Sequence, residues 1–150
     1  SRERGENIQG MISLEMLGYY STQKGTQKYP FPLGLFKSDT GNFIAFVSNL
    51  RSKKLLNYFI KRFRNIVEFP SDGVAFPQII PGISWSDHQS FWKFNYPAIM
   101  VTDTAFFRYP YYHSQEDTPD KICYDHMARV VSGLSKVIED LANGPSLPTL

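Results

Sequence analysis

Two residues combine the chemistry of a metal ligand with a setting that sets them apart. Glu15 is the charged residue in the run Met11-Ile12-Ser13-Leu14-Glu15-Met16-Leu17. An ionised carboxylate in such a run is expensive to bury alone. It demands a cation, a metal, a proton, or a place at a strand end where it reaches water or an arginine. His113 lies in Arg108-Tyr109-Pro110-Tyr111-Tyr112-His113-Ser114-Gln115-Glu116-Asp117-Thr118-Pro119, with tyrosines before it and carboxylates after it. A neutral imidazole is a common zinc ligand, and a nearby carboxylate often orients such a ring. A packed loop histidine is the competing reading, and spacing alone leaves both open.

The remaining reactive residues carry weaker signals. His88 follows Asp87 at a helix start and reads as a loop brace, with a role in a site as the less favoured alternative. His126 sits early in the last helix beside Asp125 and reads as a surface residue. Cys123 has no motif around it, and Ser86-Asp87-His88 are sequence neighbours, which does not make a triad. No phosphate loop and no dinucleotide fingerprint is present.

Strands and helices must hold these residues, and the apolar pattern places them. Residues 11–17 are too short for a helix and read as a strand stopped by Gly18. Gly18, Gly25, Pro30, Pro32, Gly34 and Gly41 make residues 18–41 a long loop, which in compact domains is usually functional or mobile. A second strand follows over 43–47. Leu55, Leu56, Phe59, Phe63 and Ile66 recur at three- and four-residue steps and predict a helix over about 49–65. Arg51, Lys53, Lys54, Lys61, Arg62 and Arg64 make its other side basic, which reads as a solvated face rather than an anion site. Residues 66–84 read as short extended pieces joined by turns. Ser86 is a fair N-cap for a short helix to about Phe94. Ala98-Ile99-Met100-Val101 suits a strand covered on both faces. A second long loop spans 102–121. The last helix starts near Tyr124 or Asp125, with Met127, Val130, Val131, Leu134, Val137, Ile138 and Leu141 as its buried stripe, and Asn143-Gly144-Pro145 stops it.

Strands alternating with helices make this an α/β chain of about one domain in 150 residues. At 42% hydrophobic and 20% charged residues it folds around a core. A net charge of +2 gives no global case for nucleic acid as a partner. The single cysteine excludes an internal disulfide framework and a cysteine-rich zinc module. No apolar run approaches the roughly 18 residues of a membrane span. The chain opens on Ser1-Arg2-Glu3-Arg4, without an initiator methionine or signal pattern. It is therefore expected to be processed, trimmed or a fragment, and its compartment is not legible.

Several segments, taken together, resemble the co-catalytic dizinc aminopeptidases. Gly10-Met11-Ile12-Ser13-Leu14-Glu15-Met16-Leu17-Gly18-Tyr19-Tyr20 resembles the strand that carries an acidic metal ligand in that family. Ser86-Asp87-His88-Gln89-Ser90-Phe91-Trp92 resembles its SDHxxFW segment. Val101-Thr102-Asp103-Thr104-Ala105-Phe106, then Tyr112-His113 and Asp117-Thr118-Pro119-Asp120, resembles the block that supplies its last histidine ligand. The segments follow the family's order from residue 10 to about 142.

The resemblance implies a phosphorylase/hydrolase-like α/β fold, with a mixed central sheet flanked by helices. It implies a two-zinc exopeptidase site, aminopeptidase-like, acting on a peptide substrate. Carried over by motif, Glu15 would bind one zinc and His113 the other, the two converging at the carboxyl edge of the sheet. Tyr112 would hydrogen-bond the developing oxyanion, with Tyr111 competing for that role. Asp117 would brace the loop or cap a turn. The family's first histidine, bridging aspartate and Glu-Glu pair have no counterpart here. The chain is therefore expected to be the carboxyl-terminal portion of a larger catalytic domain, with its sheet incomplete at the amino-terminal side. It is expected to be inactive alone and prone to self-association. Two alternatives stand beside the peptidase: a glutaminyl-cyclase-like zinc acyltransferase and a non-catalytic peptidase-like binding module. Tyr112, where a cyclase would carry Trp, leans towards the peptidase. Phe91, Phe106, Phe107, Tyr109 and Tyr111 are candidates for an apolar specificity pocket or for plain packing, and Arg108 is a candidate for meeting a substrate carboxylate.

Overall fold

The computed structural model describes residues 7–31, 33–35 and 37–144. Most of the polar segment expected over 1–9, together with Pro32 and Pro145, lies outside them. The strands are β1 (Met11–Glu15), β2 (Ile44–Ser48), β3 (Ser71–Ala75) and β4 (Ala98–Thr102). The helices are α1 (Lys53–Ile66), α2 (His88–Lys93) and α3 (Tyr124–Asn143), with short 3-10 turns at Leu33–Leu35, Ala105–Phe107 and Pro119–Lys121.

The strands form one sheet in the order β1-β4-β2-β3. β1 runs parallel to β4, β2 runs parallel to β3, and β2 is antiparallel to β4. The sheet is thus mixed, as expected. Alternation along the central strands divides the core in two. Ile44, Phe46, Ile99 and Val101 join α1 and α3 in the larger cluster. Ala45, Val47, Ala98 and Met100 join Ile83 and Trp92 of α2 in the smaller one. β2 and β4 are buried at every position, which is why they read as continuous apolar runs.

Several boundaries differ from the sequence reading, each for a local reason. α1 begins four residues later than expected, because the Asn49 carboxamide accepts the Ser52 N–H at 2.8 Å and holds a turn there. Ser86 does not cap α2. Its hydroxyl is bonded to the Ser13 hydroxyl of β1 at 2.7 Å, and Asp87 occupies the cap position without a side-chain bond. In α3 the buried stripe is narrower than predicted: Val130, Leu134 and Val137 are buried, while Val131 and Ile138 are about two-fifths exposed. The α1 side chains Lys53, Lys54, Lys61, Arg62 and Arg64 are exposed, as a solvated face should be. No helix among the described residues is long and apolar enough to cross a membrane.

Candidate active site

Parallel pairing sets Glu15, the last residue of β1, against Thr102, the last residue of β4. Ligands in sheets of this kind sit beyond the carboxyl ends of such strands. The chain turns sharply there. Met16, Thr104 and Ala105 all have positive φ, at 50, 79 and 47°. A β-branched threonine in that region costs on the order of 1–3 kcal/mol, so the surroundings must hold it.

Asp103 does much of that holding. Its carboxylate accepts N–H groups from Gly18 at 3.1 Å, Tyr19 at 2.8 Å and Ala105 at 3.0 Å. Its own N–H donates to the Met16 carbonyl at 2.7 Å. One fully buried side chain therefore ties the turn after β1 to the turn after β4. Burial pushes its carboxyl above the usual range, and the three N–H donors and Arg108 oppose that shift.

Arg108 completes the scaffold and is not free to meet a substrate. It is 5% exposed. It donates to the Gln27 side-chain carbonyl at 2.8 Å and to the backbone carbonyls of Tyr19 at 3.1 Å and Phe43 at 2.9 Å. Its guanidinium lies over the Phe43 ring at 4.7 Å. This corrects the expectation that Arg108 meets a substrate carboxylate: it is buried, with Nε and Nη1 bonded to carbonyls of the long loop after β1. Farther on, the Tyr109 hydroxyl donates to the Asp117 carboxylate at 2.7 Å, so Asp117 braces its loop. Burial, with that bond, pushes the Tyr109 phenol up to about 12.

A cavity of about 120 Å³ opens between the sheet and these loops. Glu15, Thr102, Thr104 and Tyr112 line it, together with a mostly apolar wall. Glu15 and Tyr112 are thus brought to one space from distant parts of the chain. His113 is not on the cavity wall. It is exposed, has φ 56°, and stacks flat on Tyr112, with centroids 3.9 Å apart and planes at 16°. Tyr112 in turn meets Phe106 at 5.9 Å, and Phe106 stacks on Trp85 at 5.3 Å. Of the five aromatic residues proposed for a pocket, Phe106 and Phe107 line the cavity. Phe91, Tyr109 and Tyr111 do not: Phe91 packs into the smaller core cluster, and the two tyrosines pack against each other at 5.6 Å.

The other histidines have structural partners. His88 is fully buried, and its Nε2–H donates to the Ile83 carbonyl at 2.6 Å. That bond holds a cavity-wall segment to α2, as a loop brace would. His126 is half-buried and stacked on Tyr20 at 5.2 Å, rather than lying free on the surface.

Glu15 and His113 offer a carboxylate oxygen and an imidazole nitrogen, which are donor types that suit zinc. Zinc sites take three or four protein ligands. Among the described residues, no three His, Cys, Asp or Glu side chains cluster closely enough to hold a metal ion. The donors fit in kind and fall short in number.

Sequence reading alone missed Asp103 as an anchor. Its signal was a lone carboxylate directly after an apolar strand, the same anomaly that singled out Glu15.

Comparison with known proteins agrees with this architecture. The profile of peptidase family M28 matches residues 1–138. The uncharacterized protein YfbL of Escherichia coli strain K12 is 39% identical over 125 residues, which cover 83% of this chain and 39% of that protein. Among solved structures, the LapA aminopeptidase of Legionella pneumophila superposes with a TM-score of 0.63. That match has 19% identity over 93% of this chain and 32% of LapA, so the likeness is one of fold. The chain therefore spans well under half the length of either protein.

Proposed function

The chain belongs to peptidase family M28, and from that premise we propose that it forms part of the site of a zinc-dependent exopeptidase of aminopeptidase type, acting on peptides. The observation that carries this reading is the shared cavity of Glu15, at the end of β1, and Tyr112, in the loop after β4. The likeness of fold to the LapA aminopeptidase supports the aminopeptidase type.

In this reading Glu15 and His113 would hold zinc through a carboxylate oxygen and an imidazole nitrogen, and the remaining donors would come from outside the described residues. Zinc, when bound, supplies polarisation of the scissile carbonyl and activation of the attacking water. Tyr112 donates its phenol hydrogen to the oxygen that gains charge during attack. The Phe106 ring lies beside the half-buried Tyr112 ring, with centroids 5.9 Å apart. Asp103 and Arg108 act one step back by fixing the turns on which these groups ride.

The test uses the full-length protein, with zinc content measured by mass spectrometry and hydrolysis of leucine p-nitroanilide measured in parallel. Glu15→Ala and His113→Ala should lose zinc and turnover together. Tyr112→Phe should keep zinc and lower kcat by about 10²-fold. His126→Ala should change neither. Retained zinc and turnover in both ligand variants would overturn the assignment.

A further inference from the structure

One ion pair interrupts the apolar wall of the cavity. Lys37, from the loop between β1 and β2, donates its ammonium to the carboxylate of Asp72, the second residue of β3. Both residues line the same cavity as Glu15. Their side chains are 31% and 33% exposed, so the pair borders open space rather than sealed core.

The sheet register fixes where this pair stands relative to the reacting end. Glu15 is opposite Thr102, Thr102 is opposite Ala45, and Ala45 is opposite Asp72. These four residues form one row across all four strands, and residues in register point to the same face. With strands about 4.8 Å apart, the ends of the row are separated by roughly 14 Å. Glu15 therefore marks one end of the cavity and Asp72 the other. Ala45, whose side chain is a single methyl, lies between them and gives the cavity its depth. Val74 and Val47, each two residues further along its strand, continue the apolar floor on the same face. The Tyr29 hydroxyl donates to the Ser38 carbonyl at 3.0 Å, which holds the loop beside Lys37 against this end.

We propose that the Lys37–Asp72 pair closes the far end of the cavity and sets its specificity, so that the cavity takes a neutral, apolar side chain from the first residue of a peptide. This inference rests on the reading of the cavity as a substrate site. The pair presents no net charge, so it gives a charged side chain no compensation for losing water. Either member alone would do the opposite. Asp72 without Lys37 would attract a guanidinium, and Lys37 without Asp72 would attract a carboxylate.

The experiment is equilibrium binding of L-phenylalaninamide, L-argininamide and L-glutamic acid α-amide to the full-length protein by titration calorimetry. The unaltered protein should bind phenylalaninamide most tightly. Lys37→Met should tighten argininamide, and Asp72→Asn the glutamic amide, each by on the order of tenfold. The exchanged pair, Lys37→Asp with Asp72→Lys, should keep the original order and shows that the fold tolerates changes here. An unchanged order in both single variants would overturn the inference, as would failure of phenylalaninamide to bind the unaltered protein. Binding needs no turnover. Selective binding without zinc-dependent hydrolysis would overturn the peptidase reading and leave this one standing. Hydrolysis with no change of order would do the reverse.

Discussion

Asp103 and Tyr109 show how single polar groups hold the site's two loops, and Tyr109 makes that visible in pH dependence. Its phenol is raised from an ordinary 10.0 to about 12 by burial and by its bond to Asp117. The folded chain therefore keeps a proton that the unfolded chain has lost between those values. The resulting stability is complete below about pH 10 and falls as pH rises towards 12. Tyr20, raised by burial, acts in the same direction. Urea midpoints measured from pH 9 to 11.5 should fall with pH, and Tyr109→Phe should fall less steeply than the unaltered chain. Parallel slopes would show that Tyr109 does not couple to folding. Asp103 carried a signal, a lone carboxylate after an apolar strand, but its role as an anchor was not legible, and Tyr109 carried none. Tyr109 was one tyrosine among several, and Asp103's partners Gly18 and Tyr19 lie far back in the chain. Glu15 was legible because a carboxylate is odd in an apolar strand, whereas Tyr112, in a run of tyrosines, was reached only through the resemblance of Tyr112-His113 to the family's block.

The seam between α1 and α3 depends on a missing side chain. A Cβ at Gly133 would come within 2.6 Å of the Val67 Cγ2 and 2.7 Å of the Phe63 Cε2. Overpacking of this kind typically costs about 1–3 kcal/mol. The better helix propensity of alanine returns up to about 1 kcal/mol. Gly133→Ala should therefore lower the urea midpoint, and adding Val67→Ala, which removes the obstructing methyls, should recover part of the loss. Equal midpoints for Gly133→Ala and the parent would mean that the helices separate at little cost. This seam also explains the width of the α3 stripe. Periodicity counts apolar residues, and it placed Val131 and Ile138 inside. Close contact at Gly133 narrows the buried strip to Val130, Gly133, Leu134 and Val137. Strands β2 and β4 were legible as apolar runs because both faces are covered. β3, Ser71–Ala75, was only an extended piece in the sequence, since an edge strand with Asp72 and Gly73 has little apolar signal. The row from Glu15 to Asp72 was therefore invisible until the strand order was known.

Among the described residues the proposed site would draw two donors of zinc-ligand type, Glu15 at the end of β1 and His113 in the loop after β4, and activity should follow from that number. A hydrolytic zinc site needs three or more protein ligands and a separate carboxylate to move the proton. In the proposed site Glu15 and His113 would account for two ligands, and Tyr112 would serve as a hydrogen-bond donor to the reacting oxygen. Asp103 cannot stand in, because both its oxygens are occupied by backbone N–H groups. Asp72 is paired with Lys37 at the far end of the row. Residues 1–150 produced alone and supplied with zinc should therefore show no chelator-sensitive hydrolysis of leucine p-nitroanilide. Loss of a general base alone typically removes about 10²–10⁴-fold in rate. The same assay on the full-length protein should show hydrolysis that a chelator abolishes. Chelator-sensitive turnover by the 150-residue chain would mean that its own carboxylates complete the site, and Glu15 would then have to be reassigned from ligand to base.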